Sequence, residues 1–333
     1  LIGALSGMPV EVVTAPIGNL HKAGRLARLR ALASIVEACV RHRIDRIYLN
    51  QAGLCRIVHV AAQIVGRPLV IHARLFEDVP RCAALAATLR APIDVVAISK
   101  AMLAHYRQHD EPHKRVLLAY DPFEIGAGPL DRRPPADRDF VCVGRIAAIK
   151  GQLEAVEAVG LVRDGGAAVT LDLIGIAAPG DSYGDRVDAR IGQRGLADAV
   201  RQWGYRTDAA ALTANYRFAV IPSRAEPLGR VVMEAWNVGT LPICSSDSGG
   251  AAEIVIASGG GLLYAGHEPS AIAATLAVAV ALGERDRLAM VERGRSWARE
   301  KMSIDAYQRS LAGVLFPAAD DAQPSPAPRI LMT

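Results

Sequence analysis

Short apolar runs alternate with amphipathic segments along most of the chain. Continuous apolar strands separated by helices are typical of parallel sheets that are covered on both faces. The predicted strands lie at 46–49, 68–71, 93–98, 116–118, 140–143, 169–174, 219–221 and 241–244. The predicted helices lie at 52–65, 101–108, 151–163, 229–237, 250–256, 269–282, 284–300 and 303–315. This pattern predicts an α/β protein with two Rossmann-like parallel sheets.

One stretch, at residues 126–135, combines glycine, proline and charged residues. It lies between the elements predicted up to residue 118 and those predicted from residue 140 onward. Such a stretch is typical of a linker between domains. The expected domains are an N-terminal Rossmann-like domain at 1–130, a linker at 131–139, a C-terminal Rossmann-like domain at 140–300, a terminal helix at 301–317 that can pack back on the N-terminal domain, and a disordered tail at 318–333. The first residue is Leu1 and no clear first strand with a glycine-rich loop precedes 46–49, so the N-terminal domain is expected to be truncated.

Composition agrees with two domains of ordinary size, because the chain has 333 residues, of which 51% are hydrophobic. The five cysteines are scattered without metal-ligand or redox spacing, which indicates free thiols in a reducing compartment. The longest apolar stretch, 271–282, is much shorter than the roughly 20 residues of a membrane span. A cytoplasmic protein without a transmembrane helix is therefore expected.

Charge is unevenly distributed. Residues 1–134 hold 18 Lys+Arg against 11 Asp+Glu, whereas the remainder holds 20 against 23. The basic residues are densest from Lys22 to Arg46, where Leu26, Leu29, Leu32, Ala33 and Val36 recur at helical spacing. This predicts a basic amphipathic helix that contacts an anionic membrane or an anionic acceptor. The alternative is a surface helix with a solvated face. No nucleic-acid partner is expected.

The first candidate for chemistry is Gly144-Arg145 followed by Lys150-Gly151, directly after the predicted strand 140–143. Ligands of open α/β sheets bind at the carboxyl ends of the strands. A glycine allows the backbone to approach a phosphate, and Arg145 with Lys150 supplies a forked and a compact positive charge for it. The pair predicts a diphosphate site.

The second candidate runs from Pro222 to Glu234, where a predicted strand leads into a helix. The amides of Leu228, Gly229 and Arg230 are expected in the first helical turn, where they have no intrahelical partner and can bind a phosphate. Glu226 and Glu234 do not bind phosphate but accept hydrogen bonds from hydroxyls, as an acidic residue does for a ribose. A ligand with both phosphates and hydroxyls, such as a sugar nucleotide, fits this combination.

These motifs resemble those of retaining GT-B glycosyltransferases, and of family 4 in particular, which belongs to the glycosyl transferases group 1. Glu226 and Glu234 match the E-x7-E signature, and Gly144-Arg145 with Lys150-Gly151 resembles the G-R-x4-K-G element. Ser248 to Val255 resembles the G-G-x2-E-I-V step. The resemblance covers residues 139–317, and it implies a GT-B fold whose two Rossmann-like domains face a central cleft.

The resemblance also implies roles for individual residues. Arg145, Lys150, Glu226 and His72 would be catalytic, with His72, at the end of strand 68–71, beside the donor sugar; a purely structural His72 is the alternative. The implied donor-binding residues are Gly144, Arg145, Lys150, Tyr205, Arg206, Glu226, Leu228, Gly229, Arg230, Val231 and Glu234. Tyr205 and Arg206 would lie against the base, and Glu234 would bind the ribose. No cofactor and no metal is implied, because basic side chains and helix amides replace the metal.

The predicted function is therefore transfer of a sugar, with retention, from a UDP- or GDP-sugar to a glycan or lipid-linked acceptor. Synthesis of cell-envelope polysaccharide or glycolipid is the setting implied by analogy. Two alternatives are a GT-B pseudoenzyme that binds sugar nucleotides without transfer, and a nucleotide-sugar epimerase. Two possible metal motifs, Asp137-Arg138-Asp139 and the series His105, His109 and His113, are interpreted as solvated charge and as a helix interrupted by Pro112.

Overall fold

The computed structural model describes residues 8, 10–14, 24–86, 93–108, 114–128, 138–315 and 329–332. The chain divides into two compact units, Leu1–Pro122 with Lys301–Thr333, and Phe123–Glu300. No helix among the described residues is long and apolar enough to cross a membrane.

The elements alternate between strand and helix, as the apolar pattern predicts. The first half contains β1 (Glu11–Thr14), α1 (Arg25–Arg41), β2 (Arg46–Leu49), a 3-10 turn (Ala52–Leu54), α2 (Cys55–Val65), β3 (Leu69–Ala73), α3 (Asp78–Ala86), β4 (Ile93–Ala97), α4 (Lys100–Arg107) and β5 (Lys114–Leu118). The second half begins with β6 (Arg138–Val143), a 3-10 turn (Ala148–Lys150), α5 (Gln152–Asp164), β7 (Leu171–Ile174), α6 (Tyr183–Gln193), β8 (Val200–Gln202) and α7 (Ala209–Thr213). It continues with β9 (Tyr216–Ile221), α8 (Arg230–Asn237), β10 (Leu241–Ser245), α9 (Gly250–Ser258), β11 (Leu262–Tyr264), α10 (Pro269–Ala281), α11 (Glu284–Lys301), α12 (Ile304–Leu315) and β12 (Arg329–Met332).

The first unit is built on a six-stranded parallel sheet in the order β1-β12-β2-β3-β4-β5. Its strands β2, β3 and β4 are buried along their whole length, which is why apolar residues dominate them, although Arg46, His72 and Asp94 also lie in these strands. Helix α12 belongs to this unit and packs Tyr307, Leu311 and Val314 into the core of the sheet.

The prediction of a disordered tail at 318–333 is wrong for residues 329–332, which form β12 between β1 and β2. Ile330 and Leu331 are fully buried there, and burial of these apolar side chains outweighs the signal of the prolines that precede them. The predicted linker at 131–139 ends two residues earlier, because Arg138 and Asp139 already belong to β6. Residues 129–137 and 316–328 lie outside the described residues.

The second unit has a six-stranded parallel sheet in the order β11-β10-β9-β6-β7-β8. From β6 the chain proceeds outward to β7 and β8, and then returns to β9 on the other side of β6. The direction of winding therefore reverses between β6 and β9, and this switch point is where open α/β sheets bind their ligands. The predicted α/β fold with two Rossmann-like parallel sheets is confirmed.

Candidate functional site in the second unit

Three loops meet at the carboxyl edge of the second sheet, because β6, β9 and β10 are neighbours and parallel. They are residues 144–151 after β6, 222–229 after β9 and 246–249 after β10, and together they are called the three-loop platform. The platform lies at the switch point of the sheet, and it contains both motifs that the sequence singles out.

Glycines allow these loops to pack backbone against backbone. Gly151 and Gly229 have left-handed φ values of 72° and 82°. A Cβ atom on Gly151 would overlap the carbonyl of Pro222, and one on Gly250 would overlap the carbonyl of Pro227. Side chains larger than hydrogen would therefore push the loops apart.

Hydrogen bonds connect the same loops. The Glu226 amide donates to the Ser248 carbonyl at 3.2 Å, and the Gly250 amide donates to the Glu226 carbonyl at 2.7 Å. The Arg224 guanidinium donates to the Glu154 carboxylate of α5 at 2.8 Å. Arg224 lies within a sequence motif, but its partner Glu154 was not predicted, since nothing in the sequence shows which acid it pairs with. These contacts hold the platform in one geometry.

The Lys150 ammonium forms an ion pair with the Glu226 carboxylate at the centre of the platform. Glu226 is only 8% exposed, and Lys150 is partly buried. Burial raises the pKa of the neighbouring thiols of Cys142 and Cys244 to about 12, so both remain neutral. The pair is thus poorly hydrated, and each charge depends on its partner for compensation.

Arg145 lies on the rim of the platform with its side chain exposed. Its carbonyl accepts a hydrogen bond from the Gln152 side chain at 2.9 Å, which holds its backbone in place. Within the part of the chain that the structure describes, the Arg145 guanidinium has no hydrogen bond or ion pair. Its charge is available to an anion from solvent.

The start of α8 supplies further donors to the platform. Gly229 precedes the helix in a left-handed conformation, and the first helical turn closes when the Val232 amide donates to the Gly229 carbonyl at 2.9 Å. The amides of residues 228–231 donate no hydrogen bond to any described residue. Such amides, at the positive end of a helix dipole, form a binding site for anions.

Glu234 lies one turn into α8, and its side chain is 33% exposed. Its carboxylate is 3.8 Å from the Arg230 guanidinium, which also lies over the Phe123 ring at 5.5 Å from the centroid. Because the Arg230–Glu234 pair is exposed, it contributes little stability and leaves the carboxylate accessible to hydroxyl groups.

The turn after β8 contains one partly buried and one exposed aromatic residue. Trp203 donates to the buried Asp172 carboxylate at 2.8 Å, whereas Tyr205 is 70% exposed. Although burial alone would raise the pKa of Asp172, hydrogen bonds from Tyr216, Arg201 and Trp203 hold it below the usual value. Arg206 pairs with Asp208 at 2.8 Å. Tyr205 therefore offers a free ring face, but the Arg206 guanidinium is already engaged.

His72, the remaining predicted site residue, belongs to the first unit and is fully buried in β3. Its Nδ1 atom lies 2.7 Å from the Tyr48 hydroxyl, and its Nε2 atom lies 3.4 Å from the Asp121 carboxylate. Burial and the nearby Arg74 charge hold the pKa of His72 well below its usual 6.5, so the ring is neutral. Both ring nitrogens face protein groups, and a catalytic role for His72 stays a prediction.

Metal ligands do not cluster in the described part of the chain, where no group of three or more His, Cys, Asp or Glu could hold an ion. His109, His113 and Asp137 lie outside the described residues.

Comparison with known proteins supports the motif assignment. The family model for glycosyl transferases group 1 matches residues 131–297, which is half of the chain. A glycogen synthase of Mycobacterium tuberculosis is 29% identical over 205 residues, which cover 60% of this chain and 47% of that protein. The chain thus spans about half the length of the curated relatives that it matches.

Solved structures share the fold. The Anabaena protein HepE, crystallised with UDP and glucose, superposes with a TM-score of 0.72 at 23% identity, covering 89% of this chain and 83% of that one. Sucrose-phosphate synthase from Thermosynechococcus elongatus superposes with a TM-score of 0.70 at 20% identity, covering 90% of this chain and 81% of that one. Both comparisons agree with the two-sheet GT-B architecture. Since the family model spans half of the chain, including all three loops of the platform, the chain belongs to the glycosyl transferases group 1 family.

Proposed function

We propose that this protein is a retaining glycosyltransferase of family 4 that uses a nucleotide-diphosphate sugar as donor and needs no metal. The observation that carries the proposal is the convergence, at one switch point, of four unpartnered amides at 228–231 with Arg145 and Lys150. Backbone amides that are positioned before the ligand arrives, together with two nearby positive side chains, stabilise the charge of a diphosphate leaving group.

The proposed chemistry divides the ligand between these groups. The diphosphate lies against the amides and between Arg145 and Lys150, while Glu226 accepts hydrogen bonds from the sugar and Glu234 from the ribose. The Tyr205 ring, exposed beside the platform's sheet edge, packs on the base. The glycosidic bond to phosphate breaks as an acceptor hydroxyl attacks from the same face, and the leaving phosphate oxygen takes its proton. His72 is proposed to contact the donor sugar.

The donor is proposed to be a UDP-sugar or GDP-sugar, and the acceptor a glycan or lipid-linked glycan in cell-envelope polysaccharide or glycolipid synthesis. The UDP and glucose bound by HepE make UDP-glucose the first donor to test. A cytoplasmic location is supported by the five cysteines, all of which are buried thiols outside any disulfide. Peripheral contact with an anionic membrane completes the proposal.

The test is equilibrium binding and thermal unfolding with UDP, GDP, ADP and their common sugar conjugates. We expect one nucleotide family to raise the unfolding temperature of the wild type. The Arg145→Ala variant should lose this stabilisation and keep its own unfolding temperature, because its side chain is exposed. An unchanged response in this variant would place the nucleotide elsewhere. Measuring transfer of the sugar from the bound donor to water or to a model acceptor then tests the proposed reaction.

A further inference from the structure

Helix α1 has an apolar stripe on the side opposite to its buried face. Its buried residues are Ala31, Ile35 and Cys39, spaced four residues apart. Successive residues of a helix are about 100° apart around its axis. Viewed along this axis, a second group of apolar residues falls within a sector of about 60°, and the centre of this sector is roughly 150° from the centre of the buried face. This set is called the outer stripe, and it consists of Leu26, Leu29, Ala33 and Val40.

The outer stripe is exposed to solvent over its whole length. Leu26 is 63%, Leu29 62% and Val40 69% exposed, and Ala33 is exposed as well. From Leu26 to Val40 the stripe extends about 21 Å along the helix. A helix that only has to cover a sheet needs one apolar face, so packing among the described residues of the first unit does not account for this one.

Basic residues flank the outer stripe on both sides. Arg25 lies beside Leu29 on one side, and Arg30 and Arg41 lie beside Leu26 on the other. Glu37, the one acidic residue of α1, projects about 20° from Leu26 on the same side as Arg30, and the sequence contains no other acidic residue between Glu11 and that position. All residues from Gly24 to Arg30 are exposed, so the first turns present three arginines and two leucines to solvent.

From these features, and building on the peripheral membrane contact proposed above, we infer that the outer stripe of α1 docks on an anionic lipid bilayer, with the helix lying in the plane of the interface. Leucines with arginines on either side are the composition of interfacial helices, whose apolar face enters the headgroup boundary to a depth of roughly 5–10 Å. Arginine guanidinium groups bind the lipid phosphates at the same level. A soluble polyanion satisfies only the arginines, because it leaves Leu26 and Leu29 in water.

Cosedimentation with vesicles tests this proposal directly and needs neither donor nor acceptor, so its result is independent of the transfer chemistry. We expect the wild-type chain to bind vesicles of phosphatidylglycerol and phosphatidylcholine in equal parts much more strongly than vesicles of phosphatidylcholine alone. The vesicle affinity of the double variant Leu26→Gln/Leu29→Gln should be lower than that of the wild type by at least about tenfold for each leucine. The affinity of the double variant Arg25→Gln/Arg30→Gln for the anionic vesicles should fall by about fivefold for each arginine.

A matched control is Val278→Gln on α10. Val278 is 61% exposed, like the leucines, but no charged residue occurs on its helix. This variant should bind vesicles as the wild type does. All variants alter exposed side chains, so the unfolding temperature should stay constant and exclude misfolding as the cause of a loss.

Three results would overturn the proposal. Equal binding to charged and neutral vesicles would remove the arginines from the interaction. If the arginine double variant lost vesicle binding while the leucine double variant kept it in full, the helix would bind polyanions through its charges and would not insert into a bilayer. Absence of vesicle binding by the wild-type chain would leave the stripe for a protein partner and contradict docking on lipid.

Discussion

Each unit contains an ion pair between a buried carboxylate and a partly buried cation at the carboxyl edge of its sheet, and the two pairs differ in what surrounds them. Lys150 and Glu226 lie beside four amides without partners and the free guanidinium of Arg145. Arg74 and Asp121 lie among Asn50, His72 and Tyr48, where polar atoms contact one another. The first pair is surrounded by amides that donate to no described residue and by an exposed guanidinium, whereas the second belongs to a network of side chains that contact one another, in which the buried His72 Nε2 atom has no hydrogen-bond partner among the described residues.

This difference separates a site prepared for a ligand from a polar network that specifies a fold. The amides at 228–231 and the Arg145 guanidinium offer donors that an anion can use without breaking a contact between described residues. A ligand of the His72 network can use the His72 Nε2 atom, but at the other polar atoms of the network it would have to displace contacts that the protein already makes. Variants in the platform should therefore change ligand binding and turnover, and variants in the His72 network should change stability.

The largest effect is expected from Lys150→Ala. Loss of a fixed positive charge at the leaving phosphate should reduce turnover by about 10²–10³-fold, because removal of one such donor typically has this effect. The measurement is the rate of sugar transfer or donor hydrolysis, together with thermal unfolding.

Lys100→Ala, at the start of α4, is the control, and it should keep the full rate. A Lys150→Ala enzyme with a near-normal rate would contradict the proposed role of the platform.

The next effect concerns His72 and the pH dependence of stability. The pKa of His72 is depressed in the folded chain, so its neutral form is favoured there, whereas the unfolded chain binds a proton near pH 6.5. Stability from this group is fully present above that pH and is lost as the pH falls below it. Each pH unit below 6.5 over which the folded ring stays neutral lowers the free energy of unfolding by about 1.4 kcal/mol.

Urea unfolding of the wild type and of His72→Gln at pH 8 and pH 5 measures this contribution. The variant should be less stable at pH 8, because the network is broken, but should lose less stability on acidification. Parallel pH profiles in the two proteins would show that His72 titrates normally.

Glu226→Gln should change the ratio of the affinities for the nucleotide sugar and for the bare nucleotide diphosphate by about tenfold. A diphosphate must replace Glu226 as the partner of Lys150, and the released carboxylate then needs the sugar hydroxyls as its new partner. The wild type should therefore bind the nucleotide sugar more tightly than the bare nucleotide diphosphate. In the variant Lys150 has no counter-ion, so the bare nucleotide should bind more tightly and the preference for the sugar should shrink.

Calorimetric titration of both ligands into both proteins gives the two affinity ratios. Asp164→Asn, which breaks a surface ion pair with Arg194, is the control and should leave the ratio unchanged. An equal ratio in wild type and Glu226→Gln would exclude the exchange of partners.

The sequence predicts the two sheets well, because the residues of their central strands are mostly apolar and buried. It misses β1, β8, β11 and β12, which have only three or four residues and lack a clear signal of their own. Strand β12 is recognisable only once the gap between β1 and β2 is known. Spacing also identifies Lys150 and Glu226 separately, but their ion pair depends on the packing of Gly151 against Pro222, which no local pattern shows.

The smallest effect is expected from Tyr205→Ala, which tests how far the platform extends along the sheet edge. Tyr205 is 70% exposed, so its removal should leave the unfolding temperature unchanged. If its ring packs on the base, nucleotide affinity should fall by about fivefold, corresponding to roughly 1 kcal/mol of lost stacking. The loss should be the same for the bare nucleotide and for the nucleotide sugar, because the base is common to both. A loss of affinity for the nucleotide sugar alone would place Tyr205 at the sugar instead. Unchanged affinity for both ligands would mean that the nucleotide site does not extend beyond the three-loop platform to Tyr205.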